Sequence, residues 1–235
     1  MTAAGSTTGA PVNQVIGEVL PLAVAVLISP IPIAAEILLL FSARPRPNAL
    51  GYSIGFMAGV GIGLGILTAI AAATDLTGGG NEPSWAAWLR IVLGAALALL
   101  GVRRFRDRPA PGEAEAPKWM DGIESFAPGR SFAVGLAIGT LNPKNIVVGL
   151  AAAASIASGL AGEPAGNKVI VVVAYSIFAS LGVLAPLLVA LVMGDRADSL
   201  LREWRTWLMD NNAAVVAVVF LVIGAVLVGK GIAAL

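Results

Sequence analysis

Neither cysteine nor histidine occurs in the 235 residues of this chain. Their absence excludes disulfide scaffolds, thiol redox chemistry, Cys/His zinc sites and imidazole acid–base catalysis together. Charge is scarce as well. Charged residues make up 12% of the chain and the formal net charge is +1, so there is no global basic field for nucleic acid. What remains is apolar: 57% hydrophobic residues and a mean hydropathy of +0.87, beyond an ordinary soluble domain and within the membrane class.

Six stretches, near 19–42, 50–74, 84–102, 131–160, 169–193 and 212–234, are long enough to cross about 30 Å of hydrocarbon as helices, which takes roughly 20 residues. The expected fold is therefore an all-α integral membrane protein with six transmembrane helices. The first twelve residues carry no Lys or Arg, so the charged n-region of a signal peptide is missing. Residues 1–17 are expected to form a disordered tail, and the first hydrophobic segment to stay in the mature protein. Positive residues cluster in alternate loops: Arg44 and Arg46; then Arg103, Arg104, Arg106, Arg108, Lys118 and Arg130; then Arg196, Arg202 and Arg205. The positive-inside rule puts these first, third and fifth loops in the cytoplasm and both termini outside an inner (plasma) membrane.

The chain also resembles itself. Gly51-Tyr52-Ser53-Ile54 is echoed by Ala174-Tyr175-Ser176-Ile177, and Leu93-Gly94-Ala95-Ala96-Leu97 by Ile223-Gly224-Ala225-Val226-Leu227. Trp85-Ala86-Ala87-Trp88-Leu89 has its counterpart in Trp204-Arg205-Thr206-Trp207-Leu208. The matches fall in the same order, which reads as a duplicated three-segment unit: residues 18–102, a cytoplasmic linker over 103–130, and residues 131–235. A unit with an odd number of crossings enters the membrane from opposite sides in its two copies, giving a 3+3 inverted repeat.

The first and fourth segments are each interrupted, by Ser29-Pro30-Ile31-Pro32 and by Asn142-Pro143-Lys144-Asn145. A helix broken at mid-bilayer frees backbone groups that lipid cannot satisfy, so such breaks persist beside a protein-lined cavity. Ser or Asn before Pro is an N-cap followed by an N1 proline, so each proline is expected to open a second half-helix. Two amino ends meeting at the midplane favour an anion or a polarised oxygen. Two ionisable groups lie close by, Lys144 and Glu36. Each is expected to face the bundle interior and find a partner, because a charge at such depth costs about 2.5 to 3.5 kcal/mol or more. They are open to pairing with each other, either as a fixed ion pair or as a switch broken by substrate or by protonation of Glu36. Ser29, Pro30, Pro32, Glu36, Asn142, Pro143, Lys144 and Asn145 form the candidate substrate-binding set. Tyr52, Ser53, Tyr175 and Ser176 are candidates for lining the same cavity, with anchoring at the membrane interface as the alternative for the tyrosines.

Gly55 and Gly59 have the spacing for close helix contact, and such small residues permit a homodimer. Trp119, Met120, Ile123 and Phe126, and then Leu200, Leu201, Trp204, Trp207 and Leu208, recur at helical spacing and are expected to lie along the cytoplasmic membrane surface.

The six-segment plan and the Asn142-Pro143-Lys144 motif resemble the lysine exporter (LysE) superfamily. More narrowly, Pro117-Lys118-Trp119-Met120, Gly135 and Leu141-Asn142-Pro143-Lys144-Asn145, together with Ser29-Pro30-Ile31-Pro32, are similar to the GAP family of glycolipid-addressing, Sap-type proteins. The resemblance covers nearly the whole chain from about residue 18. It implies a small transporter-like membrane protein that moves envelope glycolipids, such as glycopeptidolipids or sulfolipids, toward the surface. Redox members of the superfamily carry cysteines in their proline motifs, and with none here electron transfer is excluded.

Three functions follow as expectations: translocation of an envelope lipid through a midplane site, export of a small solute such as an amino acid or cation, or a non-transporting role as an assembly subunit of a lipid-export machine. No cofactor, no metal and no enzymatic activity are expected, since neither an activated nucleophile nor a paired-carboxylate site is evident.

Overall fold

The computed structural model describes residues 11–73, 84–110, 118–120 and 122–233. Among these residues eight helices follow in order: α1 (Val12–Leu27), α2 (Pro30–Leu40), α3 (Pro45–Ala73), α4 (Ser84–Arg106), α5 (Pro128–Leu141), α6 (Pro143–Gly159), α7 (Ala165–Met193) and α8 (Ala197–Ala233). Single 3-10 turns at Lys118–Met120 and Ile123–Ser125 lead into α5, and a third at Gly194–Arg196 joins α7 to α8. By length and composition α3 and the α7–α8 stretch Ala165–Ala233 are apolar enough to cross a membrane; each bent pair, α1 with α2 and α5 with α6, passes when taken together. That makes two to four candidate spans among the described residues.

Both proline motifs break their helices at the expected places. Pro30 and Pro143 each occupy the first position of a new helix, where a missing N–H costs no hydrogen bond. The axes turn by 57° between α1 and α2 and by 56° between α5 and α6.

Glycine sets the closest packing. Added Cβ atoms at Gly55 and Gly59 of α3 would collide with the backbone carbonyls of Phe132 and Leu136 of α5; at Gly135 and Gly139 they would collide with those of Tyr52 and Phe56. The two backbones touch because neither presents a side chain there. The Gly55/Gly59 spacing is thus used inside one chain, and that face is already covered by α5. Helices α4 and α8 approach in the same way, Gly94 against the Gly224 carbonyl and Gly224 against the Gly94 carbonyl.

Three expectations need correction. Helix α1 begins at Val12, inside the stretch expected to be a tail, because Val15 and Val19 are fully buried on one face with Ala23 and Val26 continuing it. Residues 1–10 lie outside the described residues. Met120, Ile123 and Phe126 are buried in the protein core and not laid on the membrane surface. The segment is tied under α2 and α3, where Asn48 Nδ2 donates to the Phe126 carbonyl at 2.8 Å and to Ser42 Oγ at 2.9 Å. The Trp119 side chain and residues 111–117 and 121 fall outside the described residues. Leu200 to Leu208 form no separate surface helix; they are the first turns of α8, which runs unbroken to Ala233. Leu201 is buried there with Ile37 and Leu187, and the Arg202 guanidinium lies 4.2 Å over the Phe41 ring.

Candidate functional site

Every proline break leaves a carboxyl end as well as an amino end, and the two ends meet different partners. In the second break Pro143 has no N–H for the Gly139 carbonyl four residues back. Asn145 supplies the donor from its side chain, with Nδ2 3.1 Å from the Gly139 carbonyl oxygen and 3.4 Å from that of Ile138. Asn142 Oδ1 accepts from the Lys144 backbone N–H at 3.0 Å and so caps α6. In the first break Ser29 N–H bonds the Val26 carbonyl at 3.1 Å instead of the Ala25 carbonyl four residues back. The Ser29 side chain is buried but makes no cap hydrogen bond, so capping by side chain holds only at Asn142.

The Ala25 carbonyl released in this way accepts from Lys144 Nζ at 2.7 Å. One charge-assisted bond therefore joins the two breaks, 119 residues apart in sequence. The ammonium sits at the carboxyl end of α1, where the helix dipole places about half a negative charge. Lys144 is buried, with 6% of its surface exposed.

Glu36 is fully buried one turn into α2 and does not pair with Lys144. Its Oε1 accepts from Ser53 Oγ at 2.9 Å, and its Oε2 has no hydrogen-bond partner among the described residues. Tyr52, the neighbour of Ser53, donates its hydroxyl to the Pro32 carbonyl at 3.2 Å. Tyr52 and Ser53 thus hold α2 and do not line the central cavity. Both tyrosines are buried, so neither is an interface anchor.

A half-open cavity of about 170 Å³ lies at the second break, lined by α3, α5, α6 and α7 with Val26 of α1. Its polar members are Asn145, Thr140 and Tyr175. Among the described residues Asn145 Oδ1 and the Tyr175 hydroxyl are buried without a hydrogen-bond partner, whereas Thr140 Oγ1 lies 2.9 Å from the Leu136 carbonyl and 3.1 Å from that of Gly59. Ser176 donates to the Val172 carbonyl of its own helix at 2.7 Å and does not line the cavity.

On the other side of α1 an apolar groove of about 650 Å³ runs between α1, α6 and α8. Pro21, Ala25 and Ile28, Ala154, and Val222 and Val226 line it. Its rim is open, with Val24, Val222 and Val226 each at least 40% exposed. Ala25 thus contributes to the groove wall while its carbonyl holds the Lys144 ammonium.

Ala25 and Thr140 were not among the expected residues. Ala25 has no chemical signature of its own, yet counting four residues back from Ser29 finds the carbonyl the break releases. Thr140 stands two residues before Asn142, in the last turn of α5.

A profile of the family described as "Sap, sulfolipid-1-addressing protein" matches residues 19–233. No curated protein and no solved structure matches the chain. A match over nearly the entire length means that the chain belongs to the Sap, sulfolipid-1-addressing protein family.

Proposed function

We propose that this protein moves an envelope lipid or glycolipid with an anionic or polar head across the plasma membrane, past the point where its two broken helices join. The family's description names a sulfolipid, which supports a role in lipid export or addressing. The observation that carries the reading is Ala25: its carbonyl binds the buried Lys144 ammonium, while its side chain borders a laterally open groove of about 650 Å³. A head seeks the ammonium while an acyl chain seeks the groove, and a closed aqueous pocket would offer no such lateral access. Ser29, Pro30, Pro32, Glu36, Asn142, Pro143, Lys144 and Asn145 form or support the site, and the role is not enzymatic.

The proposal includes six crossings arranged as an inverted repeat within the lysine exporter superfamily, with both termini outside and the Arg-rich loops in the cytoplasm. The near-equal bends of 57° and 56° support it. So does the packing: α1 and α2 contact α7 as α5 and α6 contact α3, while α4 and α8 contact each other.

The test is lipid movement in vesicles. Protein reconstituted with a fluorescent phosphatidylglycerol should let dithionite, added outside, quench probe that began in the inner leaflet. Lys144→Ala and Asn142→Ala should abolish that movement at unchanged protein level; normal movement in both would sink the site assignment. The cavity of about 170 Å³ with Asn145 and Tyr175 favours a second reading, export of a small solute. Efflux of radiolabelled lysine from loaded vesicles, with the lipid probe immobile, would select it.

A further inference from the structure

A second apolar groove, of about 570 Å³, lies between the α1–α2 break, α7 and α8. Leu27, Ile28, Ile33, Gly182, Trp204 and Trp207 are among its lining residues. It shares a single residue with the α1–α6–α8 groove, Ile28, which is 40% exposed at the end of α1. Trp204, Trp207, Leu208, Val218, Val222 and Val226 recur at helical spacing, so one face of α8 runs along both grooves. From Trp204 to Ala233, the outermost groove residues on α8, that face rises about 43 Å at 1.5 Å per residue. A bilayer's hydrocarbon is about 30 Å thick. Together the two grooves are long enough to cross the hydrocarbon, and they meet where the first helix breaks.

We propose that the two grooves form one acyl-chain track across the membrane and that Ile28 is its constriction, the residue a lipid tail must pass to change leaflet. The occupant is the tail of a lipid with an anionic head. Ala25, one helical turn before Ile28, borders the track, and its carbonyl accepts from the buried Lys144 ammonium, the complementary charge that an anionic head would reach behind the groove wall at that level. The break is what lets tail and head cross together: α1 ends at Leu27, so the chain at Ile28 is free of the regular helix and the shared residue stands between the grooves. This inference rests on the lipid-moving function proposed above, and it names the residue that sets how large a tail passes.

The test uses the same vesicles and fluorescent phosphatidylglycerol. Ile28→Trp should slow movement by about fivefold or more, the rate equivalent of the 1 to 3 kcal/mol that overfilling a packed space costs. Ile28→Ala should move the probe at least as fast as the native chain. Ile62→Trp, at a similarly exposed α3 position outside both grooves, should leave the rate unchanged. Melting temperatures within a few degrees of native would show that the Ile28 variants fold. A phosphatidylglycerol with a photoreactive tail should label the peptides bearing Ile28, Val222 and Trp207 in preference to the one bearing Ile62. If Ile28→Trp moves lipid as fast as native while Lys144→Ala stops it, the track is wrong and the lipid-moving function stands. Equal labelling of all exposed apolar faces would also overturn the track, and a native protein that moves no probe would remove both proposals.

Discussion

Replacing Lys144 by Met separates a lysine kept for function from one kept for stability. The native side chain is 6% exposed and makes one hydrogen bond, 2.7 Å from Nζ to the Ala25 carbonyl. A charge-assisted bond of this kind contributes about 1.5 to 3 kcal/mol, including the cost of leaving the carbonyl unsatisfied once it is gone. Holding an ammonium near the bilayer centre costs about 2.5 to 3.5 kcal/mol on insertion scales. Met keeps the length and apolar stem and removes the charge, so the variant should fall between about 0.5 kcal/mol less stable and about 2 kcal/mol more stable. Thermal unfolding in detergent reads the stability, and the vesicle assay reads lipid movement on the same preparation. The expected result is an unfolding midpoint close to native or above it, together with loss of movement. A midpoint that falls steeply, with activity declining only as far as folded protein does, would refute the reasoning and make the Lys144–Ala25 bond a structural clasp.

Other expectations follow from the same contacts. Gly135→Val places a side chain against the Tyr52 carbonyl and should lower stability by about 3 kcal/mol or more, seen as low yield and early unfolding. Asn145→Ala removes the side-chain donor to the Gly139 carbonyl and should cost about 1 to 3 kcal/mol, against about 1 kcal/mol for loss of the Asn142 cap, both read by thermal unfolding. Ser53→Ala strips Glu36 of its hydrogen bond and should cost about 1 to 3 kcal/mol, whereas Ser176→Ala, whose hydroxyl bonds only its own helix, should cost less than about 0.5 kcal/mol. Equal costs at the two serines would contradict the roles described for them.

The breaks were legible because proline chemistry is local: Pro30 and Pro143 lack a donor wherever the chain folds, and each starts a helix. The small-residue stripe of α3 was equally plain, but its partner was not, since nothing local to Gly55 says that Gly135 will face it. Met120, Ile123 and Phe126 misled for a related reason. An amphipathic pattern specifies an apolar face without specifying what covers it, and here the cover is protein. The Lys144–Glu36 pair was an inference from cost alone: a buried charge needs a partner, but a released carbonyl serves an ammonium as well as a carboxylate does. Reading each break for its amino end alone left out the carboxyl end. The carboxyl end at Ala25 supplies the partner that Lys144 uses. The grooves lay beyond the sequence entirely, because concavity between α1, α6, α7 and α8 arises from packing and not from residue type.

The most direct test is the density found beside Ala25 when the protein is imaged by cryo-electron microscopy in nanodiscs containing an anionic glycolipid. An acyl chain should lie in the α1–α6–α8 groove, with its head within hydrogen-bond distance of Lys144 Nζ. A groove filled no differently from the rest of the lipid-facing surface, with a small solute in the cavity between Asn145 and Tyr175, would contradict the lipid-moving function and select the solute exporter.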